Sequence, residues 1–80
     1  MKVRVHVTLK RGILDPQGQA VAHALQGLGF KGVNDVRQGK LIELDLSAAS
    51  AEEAKSQAEA MCRELLANPV TEGYQIEVLG

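Results

Sequence analysis

Aromatic side chains are almost missing from this sequence: Phe30 and Tyr74 are the only two, and there is no tryptophan. Single-strand nucleic-acid binders stack bases on such rings, so that class loses its platform. The RNA-recognition form of a small α+β fold needs rings on strands that here carry none. An excess of positive charge is lacking too. Nine bases stand against ten acids, a net charge of −1 that argues against a nucleic-acid partner. The single cysteine, Cys62, permits neither an internal disulfide nor a C-x-x-C metal loop. It lies in an apolar helical pattern and reads as a buried, inert thiol. His6 and His23 are too few for zinc without a carboxylate cluster beside them, so no metal site is expected. No apolar run approaches the roughly 20 residues of a membrane span. The alternating start "MKVRVHVTL" is no signal peptide, and a cytoplasmic chain without membrane contact is expected.

What the chain does contain is short, regular and aliphatic. Eighty residues allow one domain, 1–80, and bury only roughly 60–65% of the unfolded surface. Val3, Val5, Val7 and Leu9 alternate with Arg4, His6 and Thr8, the period of a half-buried strand. Val21, Ala24, Leu25 and Leu28 form a helical stripe after Pro16, and Gly29 follows as a left-handed cap. Val33 to Arg37 reads as a second strand, Gln38-Gly39 as a hairpin turn, and "KLIELDL" as a third strand. Ser50 and Glu53 have capping-box spacing. The helix they open runs to about Ala67, with Ala54, Ala58, Met61, Cys62 and Leu65 on its stripe, and Asn68-Pro69 stops it. Tyr74, Ile76 and Val78 make a last strand. The order β-α-β-β-α-β predicts a ferredoxin-like α+β fold: a four-stranded antiparallel sheet with both helices on one face. Its other face carries Arg4, His6, Thr8, Glu43, Asp45, Gln75 and Glu77, and opposite charges meet across strands there.

The stretch "LKRGILDPQGQAV" carries most of the functional information. Asp15 before Pro16 is a helix start, the carboxylate capping free N–H groups. Lys10 and Arg11 add positive charge close to a helix N-terminus, so anion binding is the alternative to simple capping. No Walker motif is present. Capping does not explain Gly18, which costs roughly 0.5–1 kcal/mol relative to Ala inside a helix. A glycine there admits another backbone at close range, a hint of an interface. Arg37 and Lys40 flank the turn at Gly39 and are either solvated or a docking tip. Nothing in the chain pairs a nucleophile with a base, so no catalytic residue is expected.

In order and spacing, "KRGILDPQGQAV", "LGF", "VRQGKLIELDL" and "MCRELLANPVTEGYQIEV" resemble the PurS family, the small subunit of phosphoribosylformylglycinamidine synthase in purine biosynthesis. The resemblance runs from Val3 to Val78. Its most specific parts are Gly12 to Gly18, Arg37 to Lys40 and Leu65 to Val70. One departure is Gly73, where the family usually carries an acid before the tyrosine. The resemblance implies a non-catalytic subunit that self-associates, as a dimer or a tetramer. It would join PurQ, a glutaminase, to PurL, an ATP-dependent synthetase, so that ammonia passes between them. Cofactors are then expected on the partners (ATP, magnesium and glutamine) and none on this chain. The candidate partner interface is Lys10, Arg11, Gly12, Asp15, Gln17, Gly18, Arg37, Gly39 and Lys40. A different expectation from the same fold is a regulatory module binding a small molecule at the strand–helix loop.

Overall fold

The computed structural model describes residues 1–80. The first strand, β1 (Lys2–Leu9), forms where the sequence alternates, and burial follows that alternation: Val3, Val5 and Val7 are each at most 1% exposed. The strand β2 (Gly39–Asp45) pairs antiparallel along one side of β1, and β3 (Glu72–Val78) along the other. Val5 sits between Ile42 and Ile76, and Arg4 between Glu43 and Glu77. On the outer face Arg4 reaches Glu77 at 3.7 Å and Lys2 reaches Asp45 at 3.8 Å, the expected cross-strand pairing of opposite charges.

The sheet has three strands, in the order β2-β1-β3, and not the four predicted. Val33 to Gln38 is irregular and pairs with no strand, so Gln38-Gly39 does not close a hairpin. The reason is tertiary. The amide of Gln38 is taken by the Asp15 carboxylate at 2.7 Å, which draws this segment to the end of the first helix instead of to β2. The first strand is central, between "KLIELDL" and the last strand.

Helix α2 (Ala51–Met61) covers the inner face of the sheet. Ser50 Oγ accepts the Glu53 amide at 3.2 Å, while the Glu53 carboxylate reaches back to Ala49 N at 3.0 Å. Ala54 and Ala58, both fully buried, let the helix backbone approach β1 closely. The helix continues as a π-turn over Cys62–Leu66, closed by Ala67 N donating to Cys62 O at 3.1 Å. One extra residue in that turn rotates the helix face. Leu65 is consequently 84% exposed, contrary to its place in the predicted stripe, while Ala67 is buried.

Helix α1 (Pro16–Gly27) does not share the inner face with α2, as the ferredoxin-like layout required. Only Gly18 of α1 is buried. Its C-terminus has the expected cap: Gly29 adopts φ +103°, and Phe30 N donates to Leu25 O at 3.1 Å. The helix projects from the body, which gives the chain extents of 50 × 25 × 14 Å and a radius of gyration of 15.9 Å. A compact chain of this length would have about 12 Å. Leu28 and Phe30, at the far end, lie open to solvent. No helix is long and apolar enough to cross a membrane.

Candidate functional site

The residues selected from the sequence meet at one end of the sheet, where β1 ends and α1 and β2 begin. Asp15 is the centre. It is 5% exposed, and its two oxygens accept different backbone donors: Gly18 N at 2.8 Å and Gln38 N at 2.7 Å. The first bond is the helix cap that Asp-Pro predicts. The second joins positions 23 residues apart. The Gln38 amide, the Gly18 amide and the neighbouring Arg37 guanidinium together hold the carboxyl below the usual aspartate range, against the opposing effect of desolvation. An anion so held is a poor proton acceptor and a good structural tie.

Gly18 has a concrete reason here. A Cβ at this position would overlap the Val36 carbonyl oxygen and come within 2.8 Å of Asp15 Oδ2. The backbone brought close is therefore the chain's own. Gly39 is constrained likewise, since a Cβ there would meet Val7 O at 2.6 Å. Gly12, at φ +85°, occupies the third position of the turn closed by Ile13 N on Lys10 O, where a positive φ suits glycine.

The basic residues are mostly engaged. Lys10 Nζ donates to Pro69 O at 2.7 Å, and the Lys10 amide donates to Thr71 O at 2.8 Å. Arg37 donates to Lys10 O at 3.2 Å. Lys40 pairs with Glu72 at 3.6 Å, and Glu72 also accepts the Asn68 amide at 2.8 Å. This half-buried carboxylate lies beside Gly73, next in sequence to the position where an acid was missed. Asp15, Gln17, Gly39 and Lys40 border a polar cleft of about 240 Å³ on the inner side of the sheet. Arg11, Gly12 and Arg37 border a second, of about 460 Å³, with Thr8 and Asp35 on the outer side. Seven of the nine candidate residues thus divide between two faces at this end of the molecule, and Lys10 and Gly18 border neither cleft.

Sequence reasoning missed Gln38, Val36 and Glu72. The first two act through backbone groups, which leave no mark on residue type. Cys62 is fully buried, and burial pushes its thiol pKa up. His6 and His23 are exposed and stand apart from the Asp15 cluster.

The geometry is that of a small α+β chain whose polar residues at this end tie its own backbone and whose first helix does not pack on the inner face of the sheet. The comparisons with known proteins give the particular family. Residues 2–80 match the PurS family model, described as phosphoribosylformylglycinamidine (FGAM) synthase, and the chain belongs to that family. It is 49% identical to the PurS subunit of Synechocystis over 94% of this chain and 75% of the relative. With that of Bacillus subtilis it shares 47% identity over 96% of this chain and 90% of the relative. A crystal structure of B. subtilis PurS superposes with a TM-score of 0.88 at 46% identity, covering 99% of this chain and 98% of that one. A chain of the solved PurLQS structure of Thermotoga maritima superposes with a TM-score of 0.89 at 32% identity, covering 98% and 95%.

Proposed function

We propose that this chain works as the non-catalytic assembly subunit of FGAM synthase. It joins a PurQ glutaminase to a PurL synthetase, so that ammonia released from glutamine reaches the ATP-dependent amination. ATP, magnesium and glutamine are handled by those two partners, in the cytoplasm. The chain also associates with itself, as a dimer or a pair of dimers.

The observation that carries this reading is the projecting helix. An isolated helix of 12 residues is marginal in water, and its stability in proteins comes from covering an apolar face. Here Val21 and Leu25 are half-buried, and Leu28 and Phe30 are exposed. The strands β2 and β3 also end the sheet as open edges, which readily pair with other chains. Lys10, Asp15, Arg37 and Lys40 are held in hydrogen bonds and ion pairs that set the direction of the loop and helix. Such groups position a surface and move no protons.

The test compares nitrogen sources. Glutamine-dependent amination by the two partner subunits should require this chain, whereas ammonia added in bulk should bypass it. Equal glutamine-dependent rates with and without the chain would refute the assembly role.

A further inference from the structure

The segment from Lys31 to Arg37 carries an unused set of backbone donors. None of its amides donates a hydrogen bond within the chain, and Val33 O, accepting from Gln26 Nε2 at 3.2 Å, is its one bonded carbonyl. Val33 to Gln38 holds no helix or turn and joins no strand of the sheet, so one edge of its backbone is open to pairing. In extended backbone, alternate residues turn their N–H and C=O groups to opposite edges. Val36 O lies against Gly18 and Gln38 N is bonded to Asp15, so this set faces the chain's own helix. Asp35 and Arg37 are left with their backbone groups turned away. Their side chains border the outer cleft.

We infer that Asn34 to Gln38 pairs antiparallel with the same segment of a second copy, about a two-fold axis through Val36. This inference rests on the self-association included in the proposed function. The register follows from charge. A two-fold axis through Asn34 sets Lys31 against Arg37 of the other copy. One through Asp35 opposes two aspartates, and one through Arg37 opposes two arginines. The axis through Val36 instead makes Asp35 face Arg37 twice, with Val36 against its own counterpart. Opposite charges directly across a ladder stabilise it and like charges destabilise it, so the segment complements itself in one register. In that register Asp35 and Arg37 are the hydrogen-bonded positions, which agrees with the edge that the chain leaves free. Pairing would satisfy donors that have no partner in the single chain.

The test uses the full-length chain. With native Cys62 buried, Val36→Cys under mild oxidation should give a covalent dimer, while Lys31→Cys, which has no counterpart within reach, should not. Asp35→Arg should weaken the dimer by about tenfold or more, measured by sedimentation over a range of concentrations. Asp35→Arg combined with Arg37→Asp should restore it, because both copies carry the exchanged pair. If Val36→Cys cross-links no faster than Lys31→Cys while light scattering still reports a dimer, this edge is wrong and self-association stands. A failure of the double exchange to restore the dimer also overturns the register. A mass of one chain at every concentration overturns the inference and the self-association together.

Discussion

Gly18 and Gly27 lie in the same helix and should respond to alanine with opposite signs. Replacing a helical glycine by alanine stabilises the helix by about 1 kcal/mol where nothing else changes. Gly27, the last residue of α1, has no neighbour within 4 Å of a built Cβ and takes at most that gain. At Gly18 the same gain is opposed by overlap with Val36 O and close approach to Asp15 Oδ2. Overpacking of this kind costs about 1–3 kcal/mol, so the net effect is a loss of up to about 2 kcal/mol. The Val36 carbonyl is backbone and cannot swing aside as a flexible side chain would. Relief must come from moving the loop, and with it the Gln38–Asp15 bond. Because α1 stands apart from the core, amide hydrogen exchange within α1 is the assay that separates it from global unfolding. Gly27→Ala should slow exchange by up to about fivefold, the equivalent of 1 kcal/mol. Gly18→Ala should speed exchange along α1 and at Gln38, with β1 amides less affected. Equal slowing by both substitutions would refute the close approach at Gly18.

Two further outcomes follow from titrating groups. The Asp15 pKa lies below the ordinary value of 3.8 in the folded chain, so its stabilisation is complete above that value and is lost as pH falls through the lower folded pKa. Acid titration of unfolding should therefore show a steeper acid limb in the native chain than in Asp15→Asn, and identical limbs would contradict the double acceptor role. The raised pKa and complete burial of Cys62 predict slow reaction with a thiol reagent at pH 8, rising in step with urea unfolding, and rapid labelling of the native chain would contradict its burial in the core with Val3, Val5 and Val7.

How far the sequence was legible depended on whether the governing contact was local. The alternation of Val3, Val5 and Val7 names the buried face of β1, because one-sided burial and period two are the same fact. Asp15 and Ser50 are readable as caps because a cap acts over three residues. Val33 to Arg37 shows the limit of that method. Its pattern describes a strand, but pairing is settled elsewhere, by an acceptor on Asp15 that claims Gln38. The α1 stripe likewise announces that a face is to be covered without naming the cover. Leu65 was misplaced because an assumed 3.6-residue period was carried through a π-turn. For the candidate site, residue types led to the right end of the molecule. The division into two faces depends on strand register and on Gln38 N, which no residue type encodes.

Asp15 fixes α1 at its first turn, with Gln26 Nε2 on Val33 O as the other tie along the helix, which makes the helix a lever with its pivot at the Asp15 carboxylate. Twelve residues at 1.5 Å each give an arm of roughly 18 Å, so a tilt of about 10° at the pivot carries the tip near Leu28 through about 3 Å. A displacement of that size is comparable to the width of a side chain and is enough to take an apolar tip out of register with a docking groove. Two hydrogen bonds to one carboxylate therefore govern alignment at a distance: what is fixed at Gly18 and Gln38 is aim, and its effect is felt at the far end of the arm.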